Sequence, residues 1–121
     1  MVKRKQILIV DDDASIRKLC QRMLKRLDME VLQADSGTRA LEELESNEDI
    51  DAVLLDINLP DGMGTDWAEK IHQARPSTSV IYFTGASWAE LAAGDPAQRT
   101  YFLKKPFTRD SIQTVLDQAL A

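Results

Sequence analysis

Asp11, Asp12 and Asp13 stand together directly after the apolar run Gln6-Ile7-Leu8-Ile9-Val10. Three adjacent carboxylates repel one another unless a cation or hydrogen bonds absorb the charge. Asp13 has an ordinary task as N-cap or first-turn acid of a following helix. Asp11 and Asp12 are left over, and just after a buried strand they suit hard oxygen ligation of Mg²⁺. The plainer reading is an acidic cluster that only caps the helix. Another carboxylate, Asp56, ends the run Ala52-Val53-Leu54-Leu55, and Pro60, Asp61, Gly62 and Gly64 crowd the loop beyond it. An acid at the carboxyl end of a parallel strand lies where open α/β sheets bind ligands. A mere capping role for Asp56 is the weaker reading, because Asp61, Thr65 and Asp66 are better placed as caps.

Two more strand ends carry chemistry. Val80-Ile81-Tyr82-Phe83 runs into Thr84, followed by the small residues Gly85, Ala86 and Ser87. Thr100-Tyr101-Phe102-Leu103 runs into Lys104-Lys105-Pro106-Phe107. Carboxylates, a hydroxyl and an ammonium around a divalent metal suit phosphoryl transfer, which needs positioning and cancellation of charge on the phosphoryl oxygens. A carboxylate can itself be the nucleophile and form an aspartyl-phosphate. Asp56 is the candidate nucleophile, with Mg²⁺ held by Asp11, Asp12 and Asp56 to lower the repulsion of an incoming phosphate. Lys105 and Thr84 would bond phosphoryl oxygens. Strand alternation sends Lys104 and Lys105 to opposite faces, and the residue before Pro106 is the one expected in the site.

The elements that must position these groups follow from apolar periodicity. A strand over 6–10 leads to a helix over 14–27, with Ile16, Leu19, Cys20, Met23, Leu24 and Leu27 on one stripe. Arg17, Lys18, Arg22, Lys25 and Arg26 cover its other side. A strand over 30–34 precedes a helix opening at Gly37, with Ala40, Leu41 and Leu44 inward. The central strand ending at Asp56 is followed by a helix over 65–75, with Ala68 and Ile71 inward and Trp67 at the edge; Pro76 stops it. His72 on this helix is read as facing solvent. A short helix is expected near Trp88, stopped by Gly94-Asp95-Pro96, and a last helix from Arg109 puts Ile112, Val115, Leu116 and Ala119 inward. Five β-α repeats imply an α/β fold, a parallel sheet with helices on both faces. Its strand ends share one edge, so the acids, Thr84 and Lys105 can converge there.

With 121 residues, 44% of them hydrophobic, the chain suits one domain over 1–121. A net charge of −5 argues against a direct nucleic-acid interface. The densest basic cluster, Lys3-Arg4-Lys5, reads as a solvated end. Cys20 is the sole cysteine, so no internal disulfide can form and a reducing, cytoplasmic setting fits. No stretch reads as a signal peptide or a membrane span. Neither a P-loop nor a G-x-G-x-x-G run follows the first strand, which argues against nucleotide binding.

Val10-Asp11-Asp12, Asp56-Ile57-Asn58-Leu59-Pro60 with Gly64, Thr84-Gly85-Ala86 and Lys105-Pro106-Phe107 occur in order, each at the end of an expected strand. In this the chain resembles the receiver domain of two-component response regulators over essentially its full length. The resemblance implies a flavodoxin-like (βα)5 fold with strand order 2-1-3-4-5. It implies Mg²⁺-dependent phosphorylation of Asp56 by a histidine kinase or histidine phosphotransfer protein, with the backbone carbonyl of Asn58 joining the metal's ligands. Hydrolysis of the acyl phosphate would reset the domain, at a rate tuned at Asn58 and Ala86. It also implies a switch in which the Thr84 hydroxyl moves toward the phosphoryl group and Phe102 follows, changing an output face on the fourth helix and fifth strand that meets an effector domain or downstream protein. The interruption at Gly94-Asp95-Pro96 departs from that pattern and puts the usual dimer surface in doubt. Trp88 is expected exposed on that face, as a partner anchor or as cover for the shortened helix. Two other readings use the same residues: an unphosphorylated pseudo-receiver that only binds partners, and an aspartate-nucleophile phosphatase in which Asp11 and Asp13 have the required spacing. A phosphatase would need a cap or lid insertion, and none is evident.

Overall fold

In the computed structural model, residues 4–84, 100–105 and 107–121 are described, together with the backbone but not the side chain of Thr84. The expected helix near Trp88, its interruption at Gly94-Asp95-Pro96 and the position of Ala86 lie outside the described residues. The elements run β1 (Gln6–Val10), α1 (Ala14–Arg26), β2 (Glu30–Ala34), α2 (Gly37–Ser46), β3 (Ile50–Asp56), β4 (Asn58–Leu59), β5 (Gly62–Met63), α3 (Gly64–Ala74), β6 (Ser79–Thr84), β7 (Thr100–Lys104) and α4 (Arg109–Ala119). The main sheet has the order β2-β1-β3-β6-β7, and every pairing in it is parallel. With the two-residue β4–β5 pair set aside, this is the 2-1-3-4-5 order of a flavodoxin-like fold. The β4–β5 pair was not expected from periodicity; it arises where the loop after Asp56 folds back antiparallel, Asn58 on Met63 and Leu59 on Gly62.

The middle residues of β1, β3 and β6, Ile7–Val10, Ala52–Leu55 and Val80–Phe83, are apolar because both faces of these strands are covered. Leu8, Val10, Val53, Leu55, Val80 and Tyr82 meet α2 and α3 residues Ala40, Leu44, Ala68 and Ile71 on one face. Ile7, Ile9, Leu54, Ile81 and Phe83 meet Cys20 and Leu24 of α1 and Ile112, Val115, Leu116 and Ala119 of α4 on the other. Side chains alternate between the two clusters residue by residue, as pleating requires. Leu41 is half-buried against the first cluster and Trp67 packs at its edge, as the spacing of their helices foretold.

Leu19 departs from expectation, for it is 45% exposed. α1 meets the sheet along the line of Cys20 and Leu24, and Leu19 lies about 100° round the helix from Cys20. His72 is half-buried rather than solvent-facing, in a recess shared with Thr65, Ala68, Tyr82 and Thr100.

The capping residues also differ from expectation. α3 starts after Met63 with no side-chain cap, and only Asp66 supplies an acid to its first turn. Asp61 instead reaches across to α2, where it accepts hydrogen bonds from the backbone N–H of Gly37 and of Thr38, both at 2.9 Å, and from the Thr38 hydroxyl at 2.7 Å. Ser36 adds the local N-cap of α2 by accepting from the Arg39 N–H. Asp61 therefore ties the loop that follows β3 to the start of a helix on the neighbouring crossover. Desolvation pushes its carboxyl up, but the bonds from Thr38 and Gly37 outweigh it and hold the carboxyl below the usual range. A lowered value contributes stability above the unfolded carboxylate range, lost as pH falls through the folded value. Asp61→Ala is expected to lower unfolding free energy by about 1 kcal/mol at pH 7, with the difference from wild type shrinking in urea melts taken at progressively acid pH.

Candidate functional site

β1 and β3 are adjacent and in parallel register, Val10 opposite Leu55, so their last residues reach the same sheet edge. Asp11 follows β1 and is 1% exposed; Asp56 ends β3 and is 9% exposed. Asp12 points into solvent beside them. One carboxylate oxygen from each of Asp11, Asp12 and Asp56 can be chosen so that all lie within 4.8 Å of one another. Lys105, just beyond β7, extends its ammonium back over the edge. Its Nζ lies 3.3 Å from Asp11 Oδ2 and 3.8 Å from Asp56 Oδ1. The same Nζ is 4.5 Å from the centre of the buried Phe83 ring, which forms the floor under it. Lys104 is exposed. The site thus brings together Asp11, Asp12, Asp56 and Lys105.

Local structure explains why the acids hold still. The Asp11 carboxylate accepts the Asp13 N–H through Oδ1 at 2.9 Å, and Asp13 in turn caps α1 by accepting the Ser15 N–H at 2.8 Å. Asp13 is therefore occupied in capping. The Asn58 N–H faces Asp56 Oδ1 at 3.5 Å, a long contact, so the loop after the strand closes toward the carboxylate. Gly64 makes that closure possible: its N–H donates to the Ile57 carbonyl, and a Cβ there would run into the Asp56 carbonyl oxygen. No other residue type fits so close to the backbone.

Burial is the leading electrostatic fact. Desolvation raises the Asp11 carboxyl, opposed by the Asp13 N–H and the Lys105 charge. Desolvation also raises Asp56, the Asp11 charge raises it further, and Lys105 opposes both. One ammonium among these carboxylates leaves an excess of negative charge in a partly buried place. Hard oxygen donors, mutual proximity and uncancelled charge fit a small divalent cation with oxygen preference. A soft metal finds no such set here, since Cys20 is buried in the core, its thiol pushed up to about 12 chiefly by desolvation.

Thr84 ends β6 with its backbone paired to Lys104 of β7, and its side chain lies outside the described residues. Phe102 is half-buried on the α2–α3 face, its ring centre 5.1 Å from that of Tyr82. Tyr101 packs on the opposite face, as alternation requires. Sequence reasoning missed two contributors. By its spacing Phe83 is only a residue of the fourth strand, although its ring also supports Lys105. Arg17 was counted with the solvated side of α1, yet its Nη1 donates to the Asp11 carbonyl at 2.6 Å. Nothing in the periodicity distinguishes Arg17 from its basic neighbours.

Residues 7–117 match the family model described as the response regulator receiver domain. The chain is 29% identical over 119 residues to the chemotaxis protein CheY1 of Helicobacter pylori, covering 95% of this chain and 96% of that one. It is 32% identical over 120 residues to the response regulator protein PilR of Pseudomonas aeruginosa, covering 98% of this chain but 27% of PilR. A solved signal receiver domain of an HD domain-containing protein from Pseudomonas fluorescens superposes with a TM-score of 0.84 at 30% identity, over 99% of this chain and 89% of that one. A five-stranded parallel sheet of this order, with acids and a lysine gathered at its carboxyl edge, agrees with the family match over residues 7–117, and the chain belongs to the response regulator receiver domains.

Proposed function

We propose that this receiver domain accepts a phosphoryl group on Asp56 from a phosphohistidine of a histidine kinase or histidine phosphotransfer protein, in a cytoplasmic two-component pathway. The observation that carries the reading is the Lys105 ammonium 3.3 Å from Asp11 and 3.8 Å from Asp56, over carboxylates whose negative charge it only partly cancels. An Asp56 oxygen attacks phosphorus, the P–N bond breaks as the P–O bond forms, and the imidazole leaves after taking a proton. Lys105 turns from the carboxylates to a phosphoryl oxygen, and the Thr84 hydroxyl takes another. Asp11, Asp12, Asp56 and the Asn58 carbonyl are the groups that would hold Mg²⁺. When bound, the ion supplies cancellation of charge between the acids and the phosphoryl oxygens. The domain's only reaction is then on itself, with hydrolysis of the acyl phosphate as the reverse step. Thr84 and Phe102 carry the change outward to β7, where an effector domain or downstream protein reads it.

Incubation with acetyl phosphate and Mg²⁺ should add one phosphoryl group by intact mass, and Asp56→Asn should abolish the gain. Absence of any gain, from small donors or from phosphorylated kinase, would identify an unphosphorylated binding module instead. Lys105→Met is expected to slow the gain about 100-fold. Mg²⁺ binding should not weaken in that variant, because the ammonium that competes for Asp11 and Asp56 is gone.

The raised carboxyls also fix a pH dependence. The unfolded chain loses these protons in the ordinary carboxylate range, whereas the native state holds them to higher pH. From that range upward the native state therefore loses stability progressively, and the loss is complete and persists once pH exceeds the folded values of Asp11 and Asp56. At pH 7, without divalent ions, Asp56→Asn should raise the melting temperature by about 4 °C, the shift that about 1 kcal/mol produces in a domain of this size. Added Mg²⁺ should stabilise the wild type at pH 7 far more than at pH 4.5, and Asp56→Asn less than wild type at either.

A further inference from the structure

We propose that Arg17 is a positioning residue that sets the direction of the Asp11 and Asp12 carboxylates, and with it the affinity of the site for a divalent cation. This rests on the reading of the acidic cluster as a Mg²⁺ site. Arg17 lies one turn into α1, its N–H donating to the Asp13 carbonyl at 3.1 Å. An arginine there has open solvent available. Its side chain instead turns back toward Asp11, and the residue is half-buried. Nη1 donates to the Asp11 carbonyl at 2.6 Å, and Nε donates to Gln33 Oε1 on β2 at 3.1 Å. Gln33 is held in its turn, its Nε2 donating to Gln21 Oε1 on α1 at 3.1 Å. The guanidinium fork is thus aimed by an amide chain that spans helix and strand.

The bond falls at a particular point. The Asp11 carbonyl belongs to the peptide unit that joins Asp11 to Asp12, so its direction fixes how both residues leave the strand. The other side of Asp11 is held by its own N–H, which donates to the Ala34 carbonyl of β2 at 3.1 Å. Bonds to Ala34 on one side and from Arg17 on the other restrain the Asp11 backbone, while its carboxylate accepts the Asp13 N–H at 2.9 Å. Without Arg17 the 11–12 peptide gains freedom to turn its carbonyl toward water, carrying both carboxylates off their common focus. Lysine offers one nitrogen where the guanidinium offers two held apart in a rigid fork, so it does not reproduce both bonds in the same geometry.

The test is Mg²⁺ titration by calorimetry on the full chain, with unfolding of the metal-free proteins followed in parallel. Arg17→Ala should weaken Mg²⁺ binding about 10-fold, the usual cost of losing a group that orients a metal ligand. Arg17→Lys should recover part of that loss. Gln33→Ala should weaken binding by less than Arg17→Ala and add little to it in the double variant. Arg22→Ala removes an exposed charge from the same helix and should leave the affinity unchanged. Should Arg17→Ala unfold at the assay temperature, Arg17→Lys and Gln33→Ala decide the matter alone. Wild-type affinity in the Arg17 variants overturns the proposal, and so does an equal loss in Arg22→Ala, which would make the effect one of net charge. A wild type that takes up Mg²⁺ but accepts no phosphate overturns only the phosphoryl-transfer reading. A wild type that binds no Mg²⁺ overturns both.

Discussion

Burial of Asp11 and Asp56 side by side at the end of adjacent strands is the constraint to which the rest of the molecule answers. Two carboxylates withdrawn from water repel each other and resist ionisation. A fold tolerates that only where geometry is imposed by something stronger, and here it is the parallel register of β1 and β3 with apolar side chains packed on both faces. Lys105 offsets part of the repulsion, while its ammonium rests over the Phe83 ring and its side chain remains 27% exposed. A buried charge with one cation too few is an unfinished electrostatic arrangement. A divalent cation or a proton would complete it.

The scaffold around this strain is rigid for identifiable reasons. Asp13 caps α1 and also gives its N–H to Asp11, so helix start and acid site share one turn. Asp61 fastens the loop after Asp56 to the first turn of α2, and Gly64 lets that loop pass against the Asp56 carbonyl. The Trp67 indole covers Gly37 so closely that a Cβ there would fall within the ring. Arg75 at the end of α3 donates to the carbonyls of Leu44, Asn47 and Glu48 and so closes the far end of α2. The Asp13, Asp61 and Gly64 contacts lie at the carboxyl edge of the sheet, where a loose loop would spoil the placement of the acids, and Arg75 fastens the opposite edge.

Several of these ties could not be foreseen, and for a common reason. Asp61 stands three residues before Gly64, where α3 begins, and on local grounds caps the helix it precedes; it caps a different helix because the β4–β5 turn carries it there. Arg17 and Lys18 both lie off the apolar stripe of α1, and nothing local says that Arg17 meets a strand-end carbonyl and a glutamine. Leu19 belongs to the apolar stripe by spacing, but the line of contact between α1 and the sheet passes it by. Local patterns report which residues can be buried; they do not report where a neighbouring element ends.

What the chain's own order determined was the alternation of strands and helices, the apolar strands with chemistry at their ends, and the separation of Lys104 and Lys105 to opposite faces. Those follow from periods of two and 3.6 residues, which are properties of the backbone and need no partner. What only the tertiary structure decided was distance: that Asp11, Asp12 and Asp56 bring oxygens within 4.8 Å of one another, and that Lys105 comes from 94 positions along the chain to within 3.3 Å of Asp11. Such proximity is a property of strand order and register. These depend on packing across the whole sheet, which no segment of the sequence specifies alone.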